Sequence, residues 1–161
     1  MAVHKLILDD VFDEVDCTLF AIYCSIEDYR LAYLLNKHLG ISLTRKSSDL
    51  DFSEGKCAFS IFDWEDTKQL ITWSLVSNVS KTEMYQATNQ KSLFDTQQKI
   101  TKTTYLIPEY KAVTYFLKID NEFNLSKEKY ILNNITAIPQ IVTAFSIDID
   151  QLKSKDNLIF S

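Results

Sequence analysis

Two glycines and two prolines in 161 residues leave few positions that can take left-handed backbone angles without strain. Glycine-rich loops that cradle phosphate are excluded on that ground, and no GxGxxG, P-loop, GxSxG or HExxH pattern occurs. Turns must rely on Asn, Asp and Ser instead, as expected at Asp120-Asn121 and Asn133-Asn134. Two histidines are too few for most histidine-based sites. No apolar run approaches the roughly 18 residues that a spanning helix needs. The amino-terminal run Leu6-Ile7-Leu8 is also too short for a secretory signal.

Three cysteines, an odd number, lie in apolar runs at Cys17, Cys24 and Cys57. They read as reduced, buried thiols of a cytoplasmic protein, and their spacing does not suit zinc. Cys24 precedes an expected helix start, which would lower its pKa, but burial would raise it again and leave it inert. Glycosylation needs secretion, so the sequons at Asn78, Asn124 and Asn134 read as chance matches.

Net charge is −5, a poor start for binding nucleic acid through phosphate. Asp9, Asp10, Asp13, Glu14 and Asp16 form one acidic cluster, without the spacing or central glycine of an EF-hand. Asp49, Asp51, Glu54, Asp63, Glu65 and Asp66 form a second, and Asp148 and Asp150 share a face at strand spacing. Lys81, Lys91, Lys99, Lys102, Lys111 and Lys118 make the middle of the chain milder and allow a modest basic face.

What is present is a packed-core composition, 46% hydrophobic and 12% aromatic. Cys17–Cys24 reads as a strand buried on both faces. Ser25 is placed to cap a helix whose stripe is Leu31, Leu34, Leu35, His38 and Leu39, with Gly40 as its left-handed stop. Ile41–Arg45 then reads as a strand. Val113–Ile119 alternates with a two-residue period. A helix capped by Ser126, with Leu125 and Tyr130 as a hydrophobic staple and Ile131, Ile135 and Ile138 as its stripe, follows and stops at Pro139. Gln140–Ile147 is another strand. Cys57–Phe62, Lys68–Ser77, Thr82–Thr88 and Lys102–Ile107 read as antiparallel strands between the two units. The polar, Gln-rich stretch 88–99 reads as a flexible loop.

The sum is one α+β domain over residues 1–161, a largely antiparallel sheet with two helices on one face. Strand, helix, strand at each end allows a ferredoxin-like arrangement.

Leu106-Ile107-Pro108-Glu109-Tyr110-Lys111-Ala112-Val113-Thr114-Tyr115 carries Ile107, Pro108 and Glu109, three free positions, then Val113 and Tyr115. This string resembles the signature of the IPExxxVDY family of Bacteroidota proteins, with Thr114 standing where the family has Asp. Leu6–Asp10 and Ser25–Gly40 are also similar to that family. The resemblance marks Ile107, Pro108, Glu109, Val113 and Tyr115 as a candidate interaction motif and implies no activity. Taken alone, the residues allow two roles for Glu109: a loop carboxylate offered to a partner or cation, or a cap on backbone amides.

Three functions follow as expectations. The first is a non-enzymatic interaction or adaptor module, because Tyr and Trp favour interfaces and aromatics are abundant. The second is an RNA-associated protein stacking bases on an aromatic sheet face. The third is a carboxylate–metal hydrolase using Glu109 with Asp9 or Asp10. Neither cofactor, resident metal nor membrane is expected. The expected partner is a protein, with a second copy of the chain and RNA as alternatives.

Overall fold

The protein, a computed structural model, is described over residues 16–52, 57–86 and 98–160. Leu6–Asp10, the acidic cluster apart from Asp16, and most of the expected 88–99 loop fall outside these residues. The described chain is α+β. Its strands are β1 (Thr18–Cys24), β2 (Thr44–Arg45), β3 (Leu50–Phe52), β4 (Cys57–Phe59), β5 (Ile61–Asp66), β6 (Ile71–Ser77), β7 (Val79–Gln86), β8 (Gln98–Tyr105), β9 (Tyr115–Ile119) and β10 (Ile141–Ile147). The helices are α1 (Asp28–Leu39) and α2 (Leu125–Thr136).

Six strands form the main sheet in the order β10-β1-β9-β6-β5-β2, antiparallel at every step. β1 and β6 flank β9, while β9 and β10 flank β1, so two split strand–helix–strand units interlock as in ferredoxin-like folds. The return strand of the first unit is β6, not the expected Ile41–Arg45. Only Thr44 and Arg45 of that segment join the sheet, at its far edge.

Both faces of β1 are buried, as its composition predicts. Phe20 and Ile22 face a core shared with Leu31 and Leu35 of α1 and Ile131 and Ile135 of α2, so both helices lie on one face. Leu19 and Ala21 face a second core under β3–β4, the 106–113 segment and the C-terminal residues Ile149, Leu152 and Leu158. Among the described residues, both faces of the central strands are thus covered. Phe20 and Phe62 belong to the helix side and Phe59 and Phe116 to the other, all buried.

Local starts and stops differ in instructive ways. α1 begins at Asp28 rather than Ser25, because Glu27 takes the extended N-cap conformation and Tyr115 binds the Ile26 carbonyl. His38 is exposed rather than part of the buried stripe. α2 is capped by Asn124, whose side chain accepts from the Lys127 amide, and Leu125 and Tyr130 are exposed rather than stapled. Asn133-Asn134 lies inside α2, not in a turn. Cys57–Phe62 divides between β4 and β5, which belong to different sheets. Gln98 and Lys99, expected in the loop, begin β8. Asp148 caps the turn at Ile149–Gln151 through the Asp150 amide, so it and Asp150 are not strand neighbours.

Gly40 has φ +67°, ends α1 as expected and donates its amide to the Asn36 carbonyl. Nothing lies within 4 Å of a Cβ added there, so a substitution costs backbone strain alone. Gly40→Ala is expected to lower stability by about 1 kcal/mol, with Gly40→Asn losing less. Urea midpoints at unchanged m-value measure both.

Candidate functional site

The IPE segment forms a 3-10 turn, Pro108–Tyr110, with proline at its start, where a missing amide donor is harmless. Ile107 and Val113 are buried in the second core. A fully buried side chain, Asn78, holds the segment in place. Its Nδ2 donates to the Tyr110 carbonyl at 2.9 Å and the Val113 carbonyl at 2.8 Å, while Oδ1 accepts from the Ile107 amide at 2.8 Å. Its backbone donates to the Thr114 carbonyl and accepts from the Leu106 amide, each at 2.9 Å. The amide is thus matched almost donor for donor, which buried polar groups require.

Glu109 takes the capping alternative, across 44 residues. Its carboxylate accepts from the amides of Lys153 at 3.0 Å and Ser154 at 3.1 Å and from the Ser154 hydroxyl at 2.5 Å. The Ser154 hydroxyl, ahead of the two amides, holds the carboxyl below its ordinary pKa. Asn157 adds a bond from its Nδ2 to the Leu106 carbonyl at 2.8 Å. The C-terminal segment is therefore tied to the motif twice.

Thr114 both gives and takes. Its hydroxyl donates to the Ile22 carbonyl and accepts from the Cys24 amide, each at 3.0 Å, where the β1–β10 register shifts. A carboxylate could accept from Cys24 but not donate to Ile22. Tyr115 donates its hydroxyl to the Ile26 carbonyl at 2.9 Å, and burial raises its pKa. Burial also raises the Cys24 thiol, and pushes Cys17 up to about 11 against the opposing charge of Lys118. All three cysteines are unpaired.

No family model, no curated protein and no solved structure matches the chain. Its geometry is the remaining guide. Asn78 immediately precedes β7 and Leu106 immediately follows β8, so their mutual backbone bond closes the root of a two-stranded ribbon. Among the described residues β7 and β8 pair only with each other, from Val79 opposite Tyr105 out to Gln86 opposite Gln98. Lys111 reinforces the root, with its ammonium 5.8 Å from the centre of the Tyr105 ring. Further out, Met84 and Ile100 face each other across the ribbon, and 56% and 40% of their surfaces are exposed.

The ribbon also gathers Lys81, Lys99 and Lys102, with Glu83 bonded to Lys99 at 2.8 Å. Lys118 does not join them. It is buried in β9, paired with Asp120 at 3.1 Å and covered by the Phe160 ring. Among the described residues no cluster of His, Cys, Asp and Glu could hold a metal. A polar cleft of about 870 Å³ lies at the start of β1 and the end of β10, lined by Asp16, Cys17, Glu122, Glu128, Asp148 and Asp150 among others.

Asn78 was hidden in the sequence behind its sequon. The usable signal was its position, directly after one expected strand, where Asn favours turns. Asn78→Ala leaves an amide and two carbonyls without their partners, and is expected to cost about 3 kcal/mol or more by urea unfolding. Glu109 gives a pH test. Its depressed pKa means its stabilisation is present above the ordinary carboxylate range and fades as pH falls through its folded-state value. Glu109→Gln should therefore be less stable than the parent at pH 7 and indistinguishable from it once both are strongly acidified.

Proposed function

We propose that this chain is a cytoplasmic, non-enzymatic protein-interaction module of the IPExxxVDY type, which holds a protein partner with the β7–β8 ribbon. The exposed Met84–Ile100 pair is the observation that carries this reading. A two-stranded hairpin on its own is marginal in water, and an apolar pair displayed on one gains most when a partner covers it. The motif then serves the ribbon from behind: Asn78 fixes Ile107, Tyr110 and Val113, and so fixes both strands at their root.

The polar groups at the motif support a scaffold rather than a reaction centre, since both Glu109 oxygens are engaged by Lys153 and Ser154. The three unpaired cysteines support a reducing compartment. No described helix is long and apolar enough to cross a membrane. RNA is a second reading on one observation, the presence of Lys81, Lys99 and Lys102 on the ribbon.

The test is affinity purification of the tagged full chain from its own cells, with and without nuclease, beside a Met84→Glu/Ile100→Lys variant. Expected is a stoichiometric protein partner that survives nuclease and is lost by the variant, with the variant's circular dichroism unchanged. Retention equal in both proteins would overturn the ribbon as the contact. Loss on nuclease treatment would move the function to RNA.

A further inference from the structure

A second surface, the β10 edge of the main sheet, points to a different partner. β10 is an edge: among the described residues only β1 pairs with it. Soluble sheets blunt such edges with charge, proline or very short strands. The other edge of this sheet is blunted in that manner, since β2 is two residues long and carries Arg45. β10 runs for seven residues, Ile141-Val142-Thr143-Ala144-Phe145-Ser146-Ile147, with no charge and no proline. Val142 and Phe145 are 69% and 37% exposed, and Tyr23 of β1 is exposed beside them.

One irregularity limits the usable edge. Tyr23 faces Thr143 and Cys24 faces Ile141, so Val142 is an extra residue that bulges the strand. Regular pairing is left to Thr143–Ile147.

We infer that this edge pairs antiparallel with β10 of a second copy of the chain, about a two-fold axis at Phe145. Charge limits where two copies can meet and selects the direction in which they pair. The chain carries −5 overall, so two copies approach most easily through a segment without ionised groups. Asp148 and Asp150 follow the strand directly. Parallel, in-register pairing would set Asp148 against Asp148, and like charges directly opposite destabilise a sheet. Antiparallel pairing about Phe145 sets Thr143 against Ile147 and Ala144 against Ser146, and leaves Asp148 beyond the paired residues, away from its own copy. It also sets Phe145 against Phe145, an aromatic cross-strand pair. A strand joined to its own copy in this manner is isologous and closes as a dimer, with no free edge at the joint.

The surface is separate from the ribbon, so either reading can fail alone. The test is sedimentation equilibrium of the full chain beside Thr143→Lys/Ser146→Lys, two exposed positions that would place charge in the joint, with the two copies of residue 146 diagonal to each other across the axis on one face. Expected is a dimer for the parent and a monomer for the variant, with equal thermal unfolding at low concentration. A second measurement uses Phe145→Cys with Cys17→Ser, expected to form a disulfide-linked dimer on mild oxidation. A monomeric parent at high micromolar concentration would overturn the proposal. A variant that stays dimeric would overturn it too, as would Met84→Glu/Ile100→Lys dissociating the dimer while the β10 variant leaves it intact.

Discussion

The Asn78 amide is the constraint on which the rest of the described chain leans. It lies where β6 hands over to β7, in a site closed to water, and its three side-chain bonds all go to the backbone of residues 107–113. A side chain that met water there would bond equally well in many geometries; a dry one accepts only the geometry that satisfies it. The Leu106–Val113 loop takes its path from that requirement. Its path then fixes where Glu109 reaches the C-terminal segment and where Thr114 meets β1. Local backbone preference does little of this work, since the loop contains one 3-10 turn and otherwise irregular chain.

This changes what the IPE string means physically. Ile107 and Val113 plug the second core, Glu109 fastens the C-terminal segment, and Tyr115 fastens the approach to α1. Ile107, Glu109, Val113 and Tyr115 thus each have a place in the fold. The two surfaces proposed to meet other molecules, the outer part of the β7–β8 ribbon and the free side of β10, are not part of the string. They lie at different strands of different sheets, so a partner at one need not displace a partner at the other.

Much of the architecture was legible because periodicity and burial coincide. β1 reads as doubly buried because residues on both its faces are apolar, and cores do cover both faces. Gly40 reads as a helix stop because few other residues accept its backbone angles. What stayed hidden were long-range polar choices. Nothing near Glu109 in sequence announces Ser154, and nothing near Thr114 announces Ile22. Ser25 and Ser126 looked like caps, yet Glu27 and Asn124 hold those positions, because Tyr115 fixes the first approach and Asn124 reaches the Lys127 amide in the second. The scarcity of glycine also shows in the β5–β6 turn, where Leu70 itself takes φ +56°. The sequence offered no reason to expect an L-residue with a bulky side chain there.

The place of β1 bears on how the chain acquires its fold. Its two neighbours, β9 and β10, come from the last third of the sequence, and the Thr114 bonds to Ile22 and Cys24 span 92 and 90 residues. This apolar strand therefore waits, while some 90 further residues are made, for the edges it will pair with. Loops of that length close at modest entropic cost, but sheets built on such distant contacts form slowly. During that interval Leu19, Phe20, Ala21 and Ile22 are a sticky, uncharged segment with no cover, the kind that chaperones meet on nascent chains. Once β9 and β10 close around it, β1 becomes one of the best-protected segments, and its amides should be among the last to exchange with solvent.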